Sequence, residues 1–164
     1  MKRIGLLSDT HGHLPEKTAE FFENCDEIWH AGDIGNQITA QTLNDIKPLK
    51  AVYGNIDGGD IRTDYPEYLF FDCEMMRVLM LHIGGYPGRY TSRARELIKT
   101  YRPSLFISGH SHILKVIYDN KFQLLHINPG AAGKQGFHQV RTLLRFTIDG
   151  DRVEGLEILE LKRH

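Results

Sequence analysis

Short apolar runs alternate with amphipathic stretches along most of the chain. The runs are bounded by Gly, Asp, Asn or His and predict β-strands; they are IGLLSD, EIWHAGD, KAVYGN, RVLMLH and SLFISGH. Between them, apolar residues at helical spacing predict helices over residues 15–24, 37–46 and 91–101. The first helix opens with Pro15, and the last has a Thr or Ser cap and a proline just beyond it.

The rest of the sequence is rich in strand signals. It predicts three strand pairs, in residues 68–81, 113–127 and 141–159, with turns near Cys73-Glu74, Asp119-Asn120 and Asp149-Gly150. We therefore expect an α/β (α+β) fold with two packed β-sheets flanked by helices, largely antiparallel in its second half. Its 164 residues, 41% of them hydrophobic, suit one domain over residues 1–164.

Charge and cysteine content exclude several classes of protein. Lys and Arg number 20 against 21 Asp and Glu, so no basic surplus indicates a nucleic-acid partner. Cys25 and Cys73 stand far apart without a CxxC pair, which is typical of thiols in a reducing compartment. The apolar run at the N-terminus is too short for a signal peptide or a membrane span. We expect a cytoplasmic protein without a membrane partner.

Metal-competent side chains follow five of the predicted strands. They are Asp9 and His11, Asp33, Asn55 and Asp57, His82, and His110 and His112. The loops beyond the carboxyl ends of such strands gather into one crevice, so we expect these side chains to lie together. Carboxylate, imidazole and amide donors without thiolate suit Mn²⁺, Fe, Ni²⁺ or Zn²⁺ in a site that is not a structural zinc site.

The order DxH, GD, GN, H, GHxH resembles the calcineurin-like metallophosphoesterase superfamily over nearly the whole chain. SDTHG, GNID and INPGA are similar to its small bacterial and archaeal phosphodiesterase branch, which includes the retromer-subunit fold. The resemblance implies a four-layer αββα sandwich. It also implies a dinuclear site in which a metal-bridging hydroxide attacks a small phosphodiester substrate, with Mn²⁺ the favoured ion.

The resemblance also assigns ligands residue by residue. One ion would be held by Asp9, His11, Asp33 and His112, and the other by Asp33, Asn55, His82 and His110. Asp33, Asn55 and His82 would also act in catalysis, with Asn55 contacting the substrate. The alternative is a catalytically weak protein-binding scaffold of the retromer-subunit type. The intact set of seven ligands favours the enzyme.

One position departs from the superfamily pattern. Many members have GNHD, whose histidine acts on the leaving group or the attacked phosphate, whereas this chain has GNID with Ile56. Isoleucine donates no proton, and a missing general acid costs about 10²- to 10⁴-fold in rate for a poor leaving group. The sequence leaves open which group replaces it, and also the oligomeric state and the physiological substrate.

Several neighbours of these motifs have candidate supporting roles. We expect His30 to orient Asp33 or a neighbouring ligand, and Asp57 to be a supporting carboxylate. Arg89 and Tyr90, which follow His82, are candidate substrate contacts. The remaining expectations are an exposed His13, a core His126, a tight turn at 128–130 bordering the site, and a solvated helix face bearing Arg93 and Arg95.

Overall fold

The computed structural model describes residues 1–163. It contains twelve strands and four helices. In chain order they are β1 (Lys2–Leu7), α1 (Thr18–Phe22), β2 (Glu27–His30), α2 (Gln37–Ile46), β3 (Leu49–Ala51), α3 (Gly59–Asp64), β4 (Tyr68–Cys73), β5 (Met76–Leu81), β6 (Gly85–Tyr86), β7 (Arg89–Tyr90), α4 (Ser92–Tyr101), β8 (Leu105–Ile107), β9 (Leu114–Asp119), β10 (Leu124–Pro129), β11 (Val140–Asp149) and β12 (Arg152–Lys162).

Ten of the strands form two five-stranded mixed sheets. The first has the order β12-β11-β1-β2-β3 and the second the order β4-β5-β8-β10-β9, while β6 and β7 form a separate hairpin. Strands β1, β2 and β3 are parallel, as are β5, β8 and β10. The expected pair of packed sheets is therefore confirmed. The parallel centre of the second sheet was not anticipated by the expectation of a largely antiparallel second half.

The main core lies between the two sheets. Residues of β5 alternate in direction: Val78 and Met80 join the core between the sheets, whereas Leu79 and Leu81 pack beneath α4. This period of two, with both faces buried, explains why β5 has a continuous apolar sequence. Helices α1 and α2 cover the outer face of the first sheet with Phe22 and Leu43 among others. The layers are therefore helix, sheet, sheet and helix, as the resemblance implies.

The helices agree with the sequence where they are long and capped. Helix α2 coincides with the predicted residues 37–46, and α4 begins after Thr91, whose side chain accepts a hydrogen bond from the Ala94 amide. Helix α1 is shorter than the predicted 15–24, because its first helical residue is Thr18, three residues after Pro15. Helix α3 was not predicted, since its six residues bury only Ile61.

The three predicted hairpins are present with small shifts in their turns. Cys73 pairs with Met76, so the first turn is at residues 74–75, as predicted to within one residue. The second hairpin has a four-residue connection, residues 120–123, because Asp119 pairs with Leu124. In the third, Asp149 pairs with Arg152, which places the turn at residues 150–151.

Parallel strands direct their carboxyl ends towards one end of the sandwich. The loops that follow β1, β2, β3, β5 and β8 carry all the metal-competent residues named above. Hydrogen bonds tie these loops together within a sheet and between the two sheets. The Gly109 amide donates to the His82 carbonyl at 2.9 Å within the second sheet, and the His110 amide donates to Asp9 Oδ2 at 3.0 Å between the sheets. None of the helices within residues 1–163 has the length and apolar composition to cross a bilayer.

Candidate metal centre

One group of donors forms around Asp9. Its Oδ1 atom lies 3.2 Å from His112 Nε2 and 3.9 Å from His11 Nε2. Ligand atoms of the three residues lie within 4.8 Å of one another, a spacing that a single ion can bridge. The loops after β1 and β8 therefore supply one candidate metal position together.

A second group forms around Asp33. Its Oδ2 atom lies 3.2 Å from His82 Nε2, and His110 completes a second cluster within the same spacing. Asn55 Oδ1 lies 3.1 Å from His82 Nε2 and 3.2 Å from His110 Nδ1. Asp33 Oδ2 is also 3.4 Å from His11 Nε2, so this carboxylate faces both groups. The structure thus brings all seven predicted ligands together, with Asp33 in the shared position.

The donor atoms are held ready for a cation. Asp9 Oδ1 and His11 Nε2 are buried and have no hydrogen-bond partner within residues 1–163. Leaving a buried polar atom without a partner costs about 1–3 kcal/mol, so this arrangement needs a compensating group. A divalent ion would supply this compensation, and the oxygen and nitrogen donors fit such an ion. The residues present therefore fit a metal site.

Each carboxylate has one oxygen held by the protein and one that faces the other donors. Ser8 Oγ donates to Asp9 Oδ2 at 2.6 Å, and the His110 amide donates to the same oxygen at 3.0 Å. The Ile56 amide donates to Asp33 Oδ1 at 3.1 Å. These contacts fix the carboxylate planes, so that Oδ1 of Asp9 and Oδ2 of Asp33 face the donors.

The charges of the site support one another. Burial alone would raise the pKa of Asp9, but its contacts with His11 and His112 outweigh burial and hold that pKa well below its usual range. Burial opposes the charged form of Asp33 as well, and His82 nevertheless lowers its pKa. Both carboxylates are therefore ionised at neutral pH, which is the state that binds metal.

A backbone contact sets the orientation of His82. Its Nδ1 atom lies 2.8 Å from the Ala31 carbonyl oxygen, which only accepts hydrogen bonds, so Nδ1 carries the proton. Neutral His82 consequently presents an unprotonated Nε2 to Asp33 and Asn55. Metal-binding histidines are commonly oriented in this way.

The backbone of the ligand loops is strained. Positive φ angles occur at five of the seven ligands: Asp9 (54°), His11 (46°), Asp33 (59°), His110 (74°) and His112 (65°). Such conformations are uncommon for residues other than glycine and concentrate at functional sites. Gly109 lies so close to Ser8 that a Cβ atom there would collide with Ser8 Oγ. The spacing of SGHSH thus reflects a tightly folded loop.

Asp57 and His30 support the loops rather than the ligand side chains. The Asp57 carboxylate accepts hydrogen bonds from the amides of Ile34, Gly35 and Gly54 and so joins the loops after β2 and β3. This agrees with a supporting carboxylate. His30 corrects its expected role, because it bonds the Thr10 hydroxyl and the Gly32 amide and contacts no ligand side chain through a hydrogen bond. Burial lowers the pKa of His30 to about 4, which keeps it neutral.

The proposed substrate contact by Tyr90 is wrong. Tyr90 is buried, its hydroxyl donates to Asp119 Oδ2 at 2.7 Å, and its ring packs against Phe106. Alternation along the short strand β7 places Tyr90 inward and Arg89 outward. Arg89 is exposed, so it is open to a ligand, and its substrate role stays a prediction.

The other neighbours lie largely as expected. His13 is exposed, His126 is fully buried, and Gly130 turns with a φ of 74° after the end of β10. Arg93 forms ion pairs with Glu67 and Glu96 on the surface. Ile56 is 46% exposed, and its backbone amide donates a hydrogen bond to Asp33 Oδ1.

Sequence reasoning missed the contacts of two side chains beside the SGHSH loop, those of Tyr86 and His138. Ser111 Oγ accepts a hydrogen bond from Asn128 Nδ2 at 3.1 Å, and the Tyr86 hydroxyl bonds the same Ser111 oxygen. The ring of His138 lies 5.1 Å from that of His112, with Nε2 donating to the Gly133 carbonyl at 2.8 Å. Neither Tyr86 nor His138 follows a predicted strand directly, so the signal that identified the ligands could not identify them.

Residues 1–151 match the family model described as the calcineurin-like phosphoesterase superfamily domain. The chain belongs to this superfamily. A protein of Methanothermobacter thermautotrophicus named "Probable metallophosphoesterase" is 30% identical over 158 residues, which cover 92% of this chain and 88% of that protein. A Methanocaldococcus jannaschii protein named "Phosphodiesterase" is 27% identical over 78% of this chain and 82% of its own length.

Solved structures of low sequence identity share the fold. The crystal structure of wild-type Vps29 complexed with Zn²⁺ from Entamoeba histolytica has a TM-score of 0.75 and 12% identity, over 99% of each chain. Membership in the calcineurin-like superfamily confirms the resemblance seen in the sequence and supports assignment as a metal-dependent hydrolase of phosphate esters.

Proposed function

We propose that this member of the calcineurin-like superfamily is a dinuclear metal-dependent phosphodiesterase whose single domain spans residues 1–164. The observation that carries the proposal is the pair of donor groups that share Asp33, with Asp33 Oδ2 lying 3.2 Å from His82 Nε2 and 3.4 Å from His11 Nε2. All seven ligand positions are intact. The archaeal relative named as a phosphodiesterase supports the reaction class.

The charge of the centre suits a phosphate diester. Asp9 and Asp33 contribute two negative charges, so two divalent ions would leave the site with a positive charge that attracts an anionic diester. When bound, the two ions would lower the pKa of a shared water to give a nucleophile and would neutralise charge on the phosphoryl oxygens. The protein residues fix the positions at which these effects act.

Asn55 can also donate hydrogen bonds through its side-chain nitrogen, Nδ2. Its Oδ1 atom contacts His82 and His110, whereas its Nδ2 makes no hydrogen bond within residues 1–163. The two N–H groups of Nδ2 are thus free to donate to a phosphoryl oxygen. Ile56, the next residue, offers no proton to the leaving group. The chain is therefore suited to diesters whose leaving group departs as a stable anion.

The native ion and location belong to the same proposal. Mn²⁺ is the favoured ion because oxygen and imidazole donors without thiolate suit it, and Ni²⁺, Fe and Zn²⁺ are the alternatives. Burial raises the pKa of both Cys25 and Cys73, to about 11 for Cys73, so both thiols remain protonated and unreactive. We further propose a cytoplasmic location, with which two free cysteines are compatible, and a small phosphodiester as the partner.

A binding scaffold is the second candidate function. The Vps29 structure matches over 99% of each chain, so this chain shares its fold with a protein named Vps29. The retromer-type scaffold predicts weak or absent catalysis with metal ligands partly replaced. The complete ligand set of this chain favours the phosphodiesterase.

Replacing Asp33 tests the proposal directly. We expect Asp33→Asn to lower metal content and to abolish hydrolysis of bis(4-nitrophenyl) phosphate, because the shared carboxylate loses its charge. Asp72→Asn, at an exposed position on β4, serves as the matched control. Metal analysis, circular dichroism and steady-state kinetics in Mn²⁺ measure the outcome. Full activity of folded Asp33→Asn would refute the two-metal assignment, and an inactive, metal-loaded wild type would favour the scaffold.

A further inference from the structure

A cleft of about 290 Å³ opens beside the second donor group. It shares two ligands of the centre, Asn55 and His82, so its floor is continuous with the site of the proposed reaction. Its lining consists of Tyr53, Gly54, Asn55, Glu67, Leu81, His82, Ile83, Thr91 and Arg93. The cleft therefore lies within reach of a substituent of a diester whose phosphate is bound beside Asn55 and His82.

The walls of the cleft present little net charge. Besides the ligand His82, the charged residues among those lining it are Glu67 and Arg93, and they pair with each other at 2.8 Å. Arg93 is also paired with Glu96 at 3.1 Å. The lining therefore contains no unpaired cation that would bind a second phosphate or a carboxylate. The cleft suits an uncharged substituent.

Apolar groups dominate the wall that is open to a ligand. Ile83 directly follows the ligand His82 and is 39% exposed, beside Leu81 and Tyr53. A large apolar side chain left in solvent next to buried metal ligands gains free energy when a ligand covers it. An apolar cavity of about 150 Å³ holds a benzene molecule, so the volume of this cleft accommodates one ring with its linking atoms.

Hydrogen bonds fix the position of the wall before a ligand binds. Thr91 Oγ1 donates to the Ile83 carbonyl at 3.1 Å, and the Thr91 amide donates to the Gly84 carbonyl at 3.0 Å. Tyr53, another residue of the lining, is also held in place: the Arg62 Cζ atom lies over its ring, 4.4 Å from the centroid. A preformed wall loses little conformational entropy on binding, which favours affinity.

A second cleft, beside His110 and His112, lacks this order. Its volume is about 640 Å³, and its apolar wall includes Phe137, whose side chain is fully exposed. Phe137 lies in residues 133–139, which contain no helix or strand. The smaller cleft at Ile83 is therefore the better formed of the two.

We propose that the Ile83 cleft binds an uncharged, ring-sized ester substituent of the phosphodiester, with Ile83 as the residue that determines this preference. The inference rests on the proposed function, because the phosphate itself would be held at the dinuclear centre. It narrows the substrate class to diesters with an aromatic or similarly sized apolar group.

Calorimetric binding of two symmetric diesters to the Mn²⁺-loaded protein tests this. Diphenyl phosphate and dimethyl phosphate carry the same charge and differ in the ring. We expect the wild type to bind diphenyl phosphate at least about tenfold more tightly, and Ile83→Ser to lose most of that difference with dimethyl phosphate binding unchanged. Metal analysis of Ile83→Ser verifies that the neighbouring His82 still functions as a ligand.

Two control variants locate the effect. Ile158→Ser removes an isoleucine of similar exposure, 43%, on β12, and should keep the wild-type preference. Ile113→Ser alters the other cleft. Equal wild-type affinities for the two diesters, or loss of preference in Ile113→Ser instead of Ile83→Ser, would overturn the inference. A retained preference with no hydrolysis of bis(4-nitrophenyl) phosphate would instead refute the proposed function alone.

Discussion

The metal centre and an aromatic cluster beneath α4 each contain a buried histidine nitrogen without a hydrogen-bond partner. The pKa of histidine is shifted in opposite directions in these two regions. The aromatic cluster consists of His126, Tyr86, Tyr90 and Phe106, with the rings of Tyr86 and Phe106 at 5.8 and 5.4 Å from that of His126. Both ring nitrogens of His126 are buried without a partner within residues 1–163, as is Nε2 of His11 in the centre.

The difference lies in the neighbours. In the centre, contact with Asp9 raises the pKa of His11; for His82, the lowering by burial is outweighed by Asp33 and Asp9, and its pKa is also raised. In the aromatic cluster, burial lowers the pKa of His126 to about 4. A buried imidazole therefore indicates a ligand site only where carboxylates face it.

The largest effect is expected from removing a ligand of the centre. His112 lies in the Asp9 group and His110 in the Asp33 group, so His112→Ala and His110→Ala should each deplete mainly one of the two ions. Loss of one ion removes several kcal/mol of stabilisation of the transition state, about a 10³-fold fall in kcat. Anomalous scattering from crystals of each variant identifies the depleted position.

His13→Ala, at an exposed histidine two residues beyond His11, should retain both ions. If both ligand variants lose the same ion, the assignment of His110 and His112 to different ions is wrong. The two groups would then have to be redrawn around Asp33.

A second prediction adds a histidine where the centre has an apolar residue. Without an acid at position 56, hydrolysis should depend steeply on the pKa of the leaving group, and nitrophenyl diesters should react far faster than alkyl diesters. Ile56→His should narrow that gap by about 10²-fold, since a side chain beside Asp33 can then protonate the leaving group. The measurement is kcat/KM against leaving-group pKa, on protein of verified metal content.

Ile158→His, on β12 and outside both the centre and the Ile83 cleft, provides a control for an added imidazole and should leave the slope steep. A wild-type rate that is flat against leaving-group pKa would show that another group already donates the proton. The inference that Ile56 leaves the centre without a general acid would then be wrong.

The sequence predicted the parts of the molecule in which local pattern and topology agree. The seven ligands follow apolar strands directly, and parallel strands bring their carboxyl ends together, so their convergence could be anticipated. Helices α2 and α4 have the apolar spacing and caps that determine a helix locally. Helix α3 does not, because it is short and buries one side chain.

The remaining features depend on contacts between distant residues. The Tyr90 hydroxyl meets Asp119, 29 positions along the chain, and that contact turns the side chain away from the centre. The positive φ angles of the ligands arise from loop packing, which no residue pattern encodes. The bond between Tyr86 and Ser111 likewise joins the β6–β7 hairpin to the SGHSH loop, which are brought together only by the fold.

A third prediction removes the histidine of the aromatic cluster. Because burial lowers the folded-state pKa of His126 to about 4 from 6.5, the unfolded chain binds more protons between these values. The stability contributed by neutral His126 is therefore complete above pH 6.5 and is lost as the pH falls towards 4, by up to about 3 kcal/mol. His126→Phe should fit among the rings and weaken this loss by that amount.

Urea unfolding of metal-free protein at several pH values from 7.5 to 4.5 measures the difference between variant and wild type. His13→Gln, at an exposed position, should follow the wild-type curve. An unchanged pH dependence in His126→Phe would mean that His126 is not held neutral by burial, and the contrast between the two histidine sites would be lost.

The smallest effect should come from the residue that joins the two regions. Tyr86 packs its ring against His126 and bonds Ser111, which lies between the ligands His110 and His112. Tyr86→Phe keeps the ring in the aromatic cluster and deletes only the hydroxyl. Groups that orient metal ligands are worth about 10- to 100-fold in metal affinity. Because Asn128 still holds Ser111, we expect the lower end of this range, about tenfold weaker Mn²⁺ binding, with the free energy of unfolding changed by less than about 1 kcal/mol.

Competitive chelator titration and urea unfolding measure the two quantities, with Tyr118→Phe on the exposed face of β9 as the control. Unchanged Mn²⁺ affinity in Tyr86→Phe would show that the hydroxyl does not orient the ligand loop, and would leave Tyr86 with a role in the aromatic cluster alone.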